Sequence, residues 1–313
     1  MKNENELMVV GSVALDSVET PFGKEDDLLG GSAVYFSLAA SLYSPIRFVG
    51  VVGEDFPTAA VNLLRARDID LDGLQQLSGK TFRWGGRYGF DLNHRETLFT
   101  HLNVFEQFNP TIPDVYRVTP FLFLGNIDPL LQTGVLNQVE KPRIVAGDTM
   151  NYWIEGKKSD LMKVIARINV LLLNDAEARQ LADEPNLVKA ARAIVDYGPE
   201  CVVVKKGEHG AMMVTKEGFF FAPPCPLETV VDPTGAGDSF AGGFMGYLSR
   251  CEEIGESELR NAVIHGTVVA SFCVEDFGTR RLADLEVDDI ASRVDEFANL
   301  TDCGFCSSFR RWS

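Results

Sequence analysis

The chain holds 313 residues, 45% hydrophobic and 10% aromatic, with a formal net charge of −16 at pH 7. That is enough apolar material for one large domain or two ordinary ones, and the negative charge argues against a nucleic-acid partner, whose phosphates need a basic surface. No stretch approaches 18 uninterrupted apolar residues and Met1-Lys2-Asn3-Glu4-Asn5-Glu6 is polar and acidic, so a cytoplasmic protein with no membrane partner is expected.

Short apolar runs alternate with helical patterns. Strands are predicted at 7–13, 47–52, 120–124, 143–146, 170–173 and 201–204. Helices are predicted at 32–42, 57–66, 129–139, 158–166, 175–182, 187–197, 236–248, 257–272 and 288–298. Strands rich in Val, Ile and Leu between helices imply a three-layer α/β/α fold around a mostly parallel sheet. Ligands on such sheets sit at the carboxyl ends of the strands. Residues 79–108 break the alternation. Thr81-Phe82-Arg83-Trp84, Arg87-Tyr88-Gly89-Phe90 and Thr97-Leu98-Phe99-Thr100 read as strands, with a turn at Asp91-Leu92-Asn93-His94-Arg95. A small antiparallel sheet inserted there reads as a lid that excludes water. Arg83, Arg87 and Arg95 there could meet an anionic substrate or solubilise the hairpin, and the second reading is preferred. With no repeat and no linker-like stretch, residues 1–313 are expected to form one domain with this lid.

Polar residues recur where predicted strands end. Asp16 follows the first, and Gly30-Gly31-Ser32-Ala33 opens the first long helix. Asn126 and Asp148 follow two middle strands. Asn174-Asp175-Ala176-Glu177 places Asn174 and Glu177 one helical turn apart, a spacing that suits a capping box as well as an outer-sphere magnesium ligand. Lys205-Lys206-Gly207-Glu208-His209-Gly210 brings positive charge to another strand end. The most informative run is Val231-Asp232-Pro233-Thr234-Gly235-Ala236-Gly237-Asp238-Ser239-Phe240. Its small residues expose amides at a helix N-terminus, an anion cradle. Asp238 beside that cradle is placed to take a proton, as phosphoryl transfer to a hydroxyl requires. Of the six cysteines only Cys303-Gly304-Phe305-Cys306 has metal or redox spacing. A lone pair of this kind is read as ordinary thiols. His94, His101 and His209 show no metal spacing, and no zinc is expected.

The run at 231–240 resembles the C-terminal signature of the ribokinase/PfkB family of sugar and nucleoside kinases, D-T-x-G-A-G-D, with Pro233 at the second position. The order of Asp16, Gly30-Gly31, the lid, Asn174/Glu177 and Gly207/Gly210 extends the resemblance over nearly the whole chain. It implies a ribokinase-like fold whose lid draws on about 14–29 and 79–108. It implies ATP-dependent transfer of the γ-phosphate to a hydroxyl of a sugar or sugar-like small molecule. Asp238 would be the base, with the amides of Gly235, Ala236, Gly237 and Asp238 as the anion hole. Asp16, Gly30, Gly31, Tyr35 (where the family carries asparagine), Asn126 and Asp148 would face the acceptor. Asn174, Glu177, Lys205, Gly207, Gly210, Thr234, Asn261 and His265 would face the nucleotide, with Glu177 acting on magnesium through water. The resemblance also extends to a potassium-type site at Asp232 and to a homodimer through the lid. A nucleoside kinase, or a member that senses a ligand without catalysis, remains an alternative.

Overall fold

A computed structural model describes residues 5–301; Cys303 and Cys306 lie outside the described residues. The strands are β1 (Leu7–Val10), β2 (Ala14–Thr20), β3 (Gly23–Gly30), β4 (Ile46–Val52), β5 (Ile69–Gln76), β6 (Phe82–Tyr88) and β7 (Arg95–His101). They continue with β8 (Phe121–Leu124), β9 (Ile144–Asp148), β10 (Val170–Asn174), β11 (Cys201–Lys205), β12 (Ala211–Val214) and β13 (Phe219–Ala222). The helices are α1 (Ser32–Ala40), α2 (Thr58–Ala66), α3 (Pro129–Leu136), α4 (Asn151–Gly156), α5 (Lys158–Ile165) and α6 (Asp175–Ala182). The last are α7 (Leu187–Val195), α8 (Ala236–Ser249), α9 (Glu256–Cys273), α10 (Arg280–Ala283) and α11 (Val287–Thr301).

Nine strands form one sheet in the order β13-β12-β11-β10-β9-β8-β1-β4-β5. All pairs from β11 to β5 are parallel, and the β11–β12 and β12–β13 pairs are antiparallel. Alternation along each central strand feeds two cores. Leu7, Val9, Phe121 and Phe123 pack with α1, α8 and α9 on one face. Met8, Val10, Leu122 and Leu124 pack with α3, α5, α6 and α7 on the other. A strand buried on both faces must be apolar throughout, which is why these runs read as continuous. Helix α1 is buried along its whole length, and Phe36 stacks on Phe123 with centroids 4.2 Å apart. Among the described residues no helix is long and apolar enough to cross a membrane.

The second sheet has the order β3-β2-β6-β7 and carries one parallel pair, β2–β6. Residues 82–88 form one continuous strand where two segments are expected from the sequence, because Gly85 and Gly86 stay in the ladder with β2 and β7. Strand β1 ends three residues early, since Ser12 leaves the ladder to exchange hydrogen bonds with Ser32 at the start of α1 (3.1 and 3.0 Å). Strand β5 escapes a search for apolar runs because Asp70, Asp72 and Gly73 interrupt it.

Candidate active site

The parallel strands β1, β8, β9, β10 and β11 all open at one edge of the large sheet. Strand order reverses at β1, between β8 and β4, the place where ligands bind on such sheets. The chain reaches this edge again at residues 232–238, the loop into α8 and its first turn.

The loop is held by the fully buried Asp232. One of its carboxylate oxygens accepts the Thr234 amide (2.8 Å) and the other the Gly278 amide (2.9 Å). Gly235 sits at φ +77, and a Cβ there would fall inside the Tyr35 ring. Ser239 donates back to the Gly235 carbonyl (2.8 Å) and Ala236 to the Pro233 carbonyl (3.2 Å). Among the described residues the amides of Gly235, Gly237 and Asp238 meet no acceptor. The expected anion hole therefore loses one member: the Ala236 amide closes its own turn. The other three are the orphan donors every helix start must satisfy from outside.

Asp238, half-buried on the first turn of α8, lies beside this hole. Burial, with Asp148 adding to it, pushes its carboxyl up to about 7, against the pull of Lys205 and Arg95. Lys205, at the end of β11, donates to Asp148 at the end of β9 (2.8 Å). Its Nζ lies 3.0 Å from where a Gly237 side chain would begin. Burial would discharge this lysine, but Asp148 and Glu177 hold its proton on. Asn174 and Glu177 form the capping box of α6: each side chain accepts the other's amide at 2.8 Å. Burial, then Asp148, raises Glu177 to about 7. Asp16, 4% exposed, lies against Gly30, where any Cβ would collide with its carboxylate. Burial and the neighbouring Asp232 and Asp238 raise it to about 8. Gly31, at φ +95, makes the turn from β3 into α1. Asn126 accepts the Trp153 indole N–H (2.9 Å), which orients it at the end of β8.

Several expectations need revision. Tyr35 is buried beneath Gly235 with its ring packed on the loop, so it supports the loop from below and does not line open space for an acceptor. Gly207 (φ +55) borders the lid, while Gly210 (φ +77) is needed because a Cβ would strike the Ala222 carbonyl of the β12–β13 hairpin. The Thr234 hydroxyl is engaged by Tyr88 of β6 (3.2 Å). Asn261 and His265 lie at the wrong end. Helix α9 returns antiparallel to α8, and its carboxyl end meets the loop through the Val274 carbonyl and Val231 (2.8 Å). His265 instead packs between Tyr43 and Tyr247, and Tyr247 lies about 16 Å along α8 from its start. Asn261 is a further turn away. With both Asp232 oxygens taken by amides, the geometry gives no support to a potassium-type site there.

Trp84 and Tyr88 are not singled out by the sequence as site residues, and Arg95 is not told apart from Arg83 and Arg87. Asp16 pairs with Trp84 across β2–β6, and Tyr88 pairs with Arg95 across β6–β7, so all four share one sheet face. The Arg95 guanidinium lies 5.2 Å from the Trp84 ring centroid. Alternation along β6 and β7 separates this face from the opposite one in the sequence, but no local signal says which of the two meets the loop.

Residues 29–285 match the family described as "pfkB family carbohydrate kinase". The cytidine kinase of Thermococcus kodakarensis is 30% identical over 251 residues, 78% of this chain and 89% of that protein. The aminoimidazole riboside kinase of Salmonella typhimurium is 25% identical over 302 residues, 88% of this chain and 90% of that protein. Among solved structures, the Methanocaldococcus jannaschii nucleoside kinase superposes with a TM-score of 0.76 at 21% identity, over 93% of this chain and 98% of that one. The Burkholderia thailandensis nucleoside kinase in complex with inosine gives 0.77 at 19% identity, over 93% and 97%. The two superpositions show a shared fold.

Proposed function

Because this chain belongs to the pfkB family of carbohydrate kinases, and so transfers phosphate from ATP to a hydroxyl of a sugar-like molecule, we propose that its acceptor is a ribonucleoside and that Asp238 is its base. The carrying observation is the half-buried Asp238, raised to about 7 beside amides without acceptors. A carboxylate tuned near neutrality balances basicity against the fraction ionised. The nucleoside is favoured by the relatives, whose names include cytidine kinase, aminoimidazole riboside kinase and adenosine kinase.

Asp238 would take the proton from the acceptor hydroxyl. The amides of Gly235, Gly237 and Asp238, with the Lys205 ammonium, would meet the charge on the transferring phosphoryl group. Asp16 would hold a second hydroxyl of the acceptor. The site is rich in carboxylates: Asp16, Asp148, Glu177 and Asp238 crowd around Lys205 and Arg95. That donor set suits a hard divalent cation. Among the described residues no three such side chains converge to hold a bare ion, so Glu177 and Asp148 would hold magnesium through water, as that ion prefers. Bound magnesium neutralises phosphate charge.

The test is ATP consumption across ribonucleosides, deoxyribonucleosides, free sugars and polyols. A ribonucleoside is expected to give the highest kcat/KM. A free sugar turned over faster than every nucleoside would overturn the acceptor assignment.

A further inference from the structure

We infer that Arg95 is the lid's own contribution to phosphoryl transfer, its guanidinium donating hydrogen bonds to the transferring group once the acceptor and nucleotide are in place. This assignment rests on the kinase reading above and names a further residue of the same site.

Register argues first. Tyr88 and Arg95 are directly paired, so their side chains rise together from one face. Tyr88 reaches the anion loop through Thr234 (3.2 Å). The position beside it therefore stands over that loop. Trp84, on the same face, lies over Gly86, where any Cβ would collide with the indole. Arg95 stacks on this ring, with 5.2 Å between guanidinium carbon and centroid, so its side chain runs along the inner face of the lid.

Partnership argues second. Arg83 pairs with Asp27 and Asp55, and Arg87 with Glu19 and Glu96. Arg95 forms no ion pair among the described residues, yet its charge draws down the carboxyls of Asp16, Glu177 and Asp238 against the larger effect of burial. A guanidinium near these acids and bonded to none keeps its fork of N–H donors for an incoming anion.

The lid is also held in place. The Asn93 amide donates to Glu208 (2.9 Å), tying the tip of the β6–β7 hairpin to the turn after Lys205. Lys205 would then meet the phosphoryl group from the sheet edge and Arg95 from the lid. In the step itself the acceptor oxygen bonds to the γ-phosphorus and its proton goes to Asp238. The bond from that phosphorus to the bridging oxygen breaks, leaving the electron pair on ADP. Arg95 changes no covalent bond; it stabilises charge on the phosphoryl oxygens.

The test compares Arg95→Gln, Arg95→Lys and Arg87→Gln with the parent, using ATP and the best acceptor. For Arg95→Gln, kcat is expected to fall by ~10²–10³ with the acceptor KM within about threefold, the scale for losing one transition-state donor. Arg95→Lys should recover part of the rate, and Arg87→Gln should match the parent. The acid limb of kcat/KM against pH should also move upward in Arg95→Gln, because a charge that lowers Asp238 is gone. Arg95→Gln turning over within about twofold of the parent, or losing only KM, overturns the assignment. A parent that consumes no ATP with any acceptor overturns the kinase reading itself, and this inference with it.

Discussion

Lys205 and Asp148 bury opposite charges 2.8 Å apart, and removing either partner leaves an uncompensated charge. Breaking such a pair costs about 3–5 kcal/mol, whereas replacing both partners is far milder. Lys205→Met is therefore expected to lose melting temperature and turnover together. Lys205→Met/Asp148→Asn should regain most of the melting temperature and little of the kcat. Parental kcat in the double variant would refute a role for Lys205 at the phosphate. Both residues are legible as strand-end polar groups, but their pairing is not. They lie 57 residues apart and meet only because β9 and β11 flank β10. Asp238 and Asp16 were readable because each follows a recognisable local pattern. Arg95 could not be told from Arg83 and Arg87, because exposed arginines on a lid look alike until register separates the inner face from the outer.

Helix α8 carries the anion loop and is gripped on two sides. A Cβ on Gly242 would lie 2.6 Å from the Phe36 carbonyl and 2.6 Å from the Ala39 methyl of α1. One on Gly243 would lie 2.8 Å from the His265 carbonyl of α9. These contacts involve backbone, which cannot rotate aside. Gly242→Leu is expected to destabilise the protein by about 1–3 kcal/mol or more, the cost of overpacking, and to lower kcat by shifting the start of α8. A thermal melt matching the parent would show that the helices separate freely. Elements of the large sheet were legible where burial on both faces forces apolar runs. Asn261 and His265 were misassigned for the converse reason: a helical pattern shows which residues share a face, but not which end of the helix approaches the loop.

Across the whole molecule, burial raises Asp16 to about 8 and Glu177 and Asp238 to about 7, from 3.8, 4.5 and 3.8. The folded state thus binds these protons more tightly than the unfolded chain. Their contribution to stability is full below the ordinary carboxylate range and is lost as pH rises through about 7 to 8. His265 works in the opposite direction, but burial lowers it from 6.5 to about 4, so its effect is spent below that window. The melting temperature without nucleotide should therefore fall between about pH 6.5 and 8.5, and Asp16→Asn should flatten the decline. A parental melting temperature that rises across this window would contradict the burial of these carboxyls. Against this burial, Lys205 and Arg95 are the cations that draw Glu177 and Asp238 back down. The most direct measurement is the turnover of Asp238→Asn with ATP and the best acceptor, alongside its nucleotide affinity. With the base removed and the amides intact, kcat is expected to fall by ~10²–10⁴ while affinity stays within a few-fold; turnover near the parental rate would contradict Asp238 as the proton acceptor.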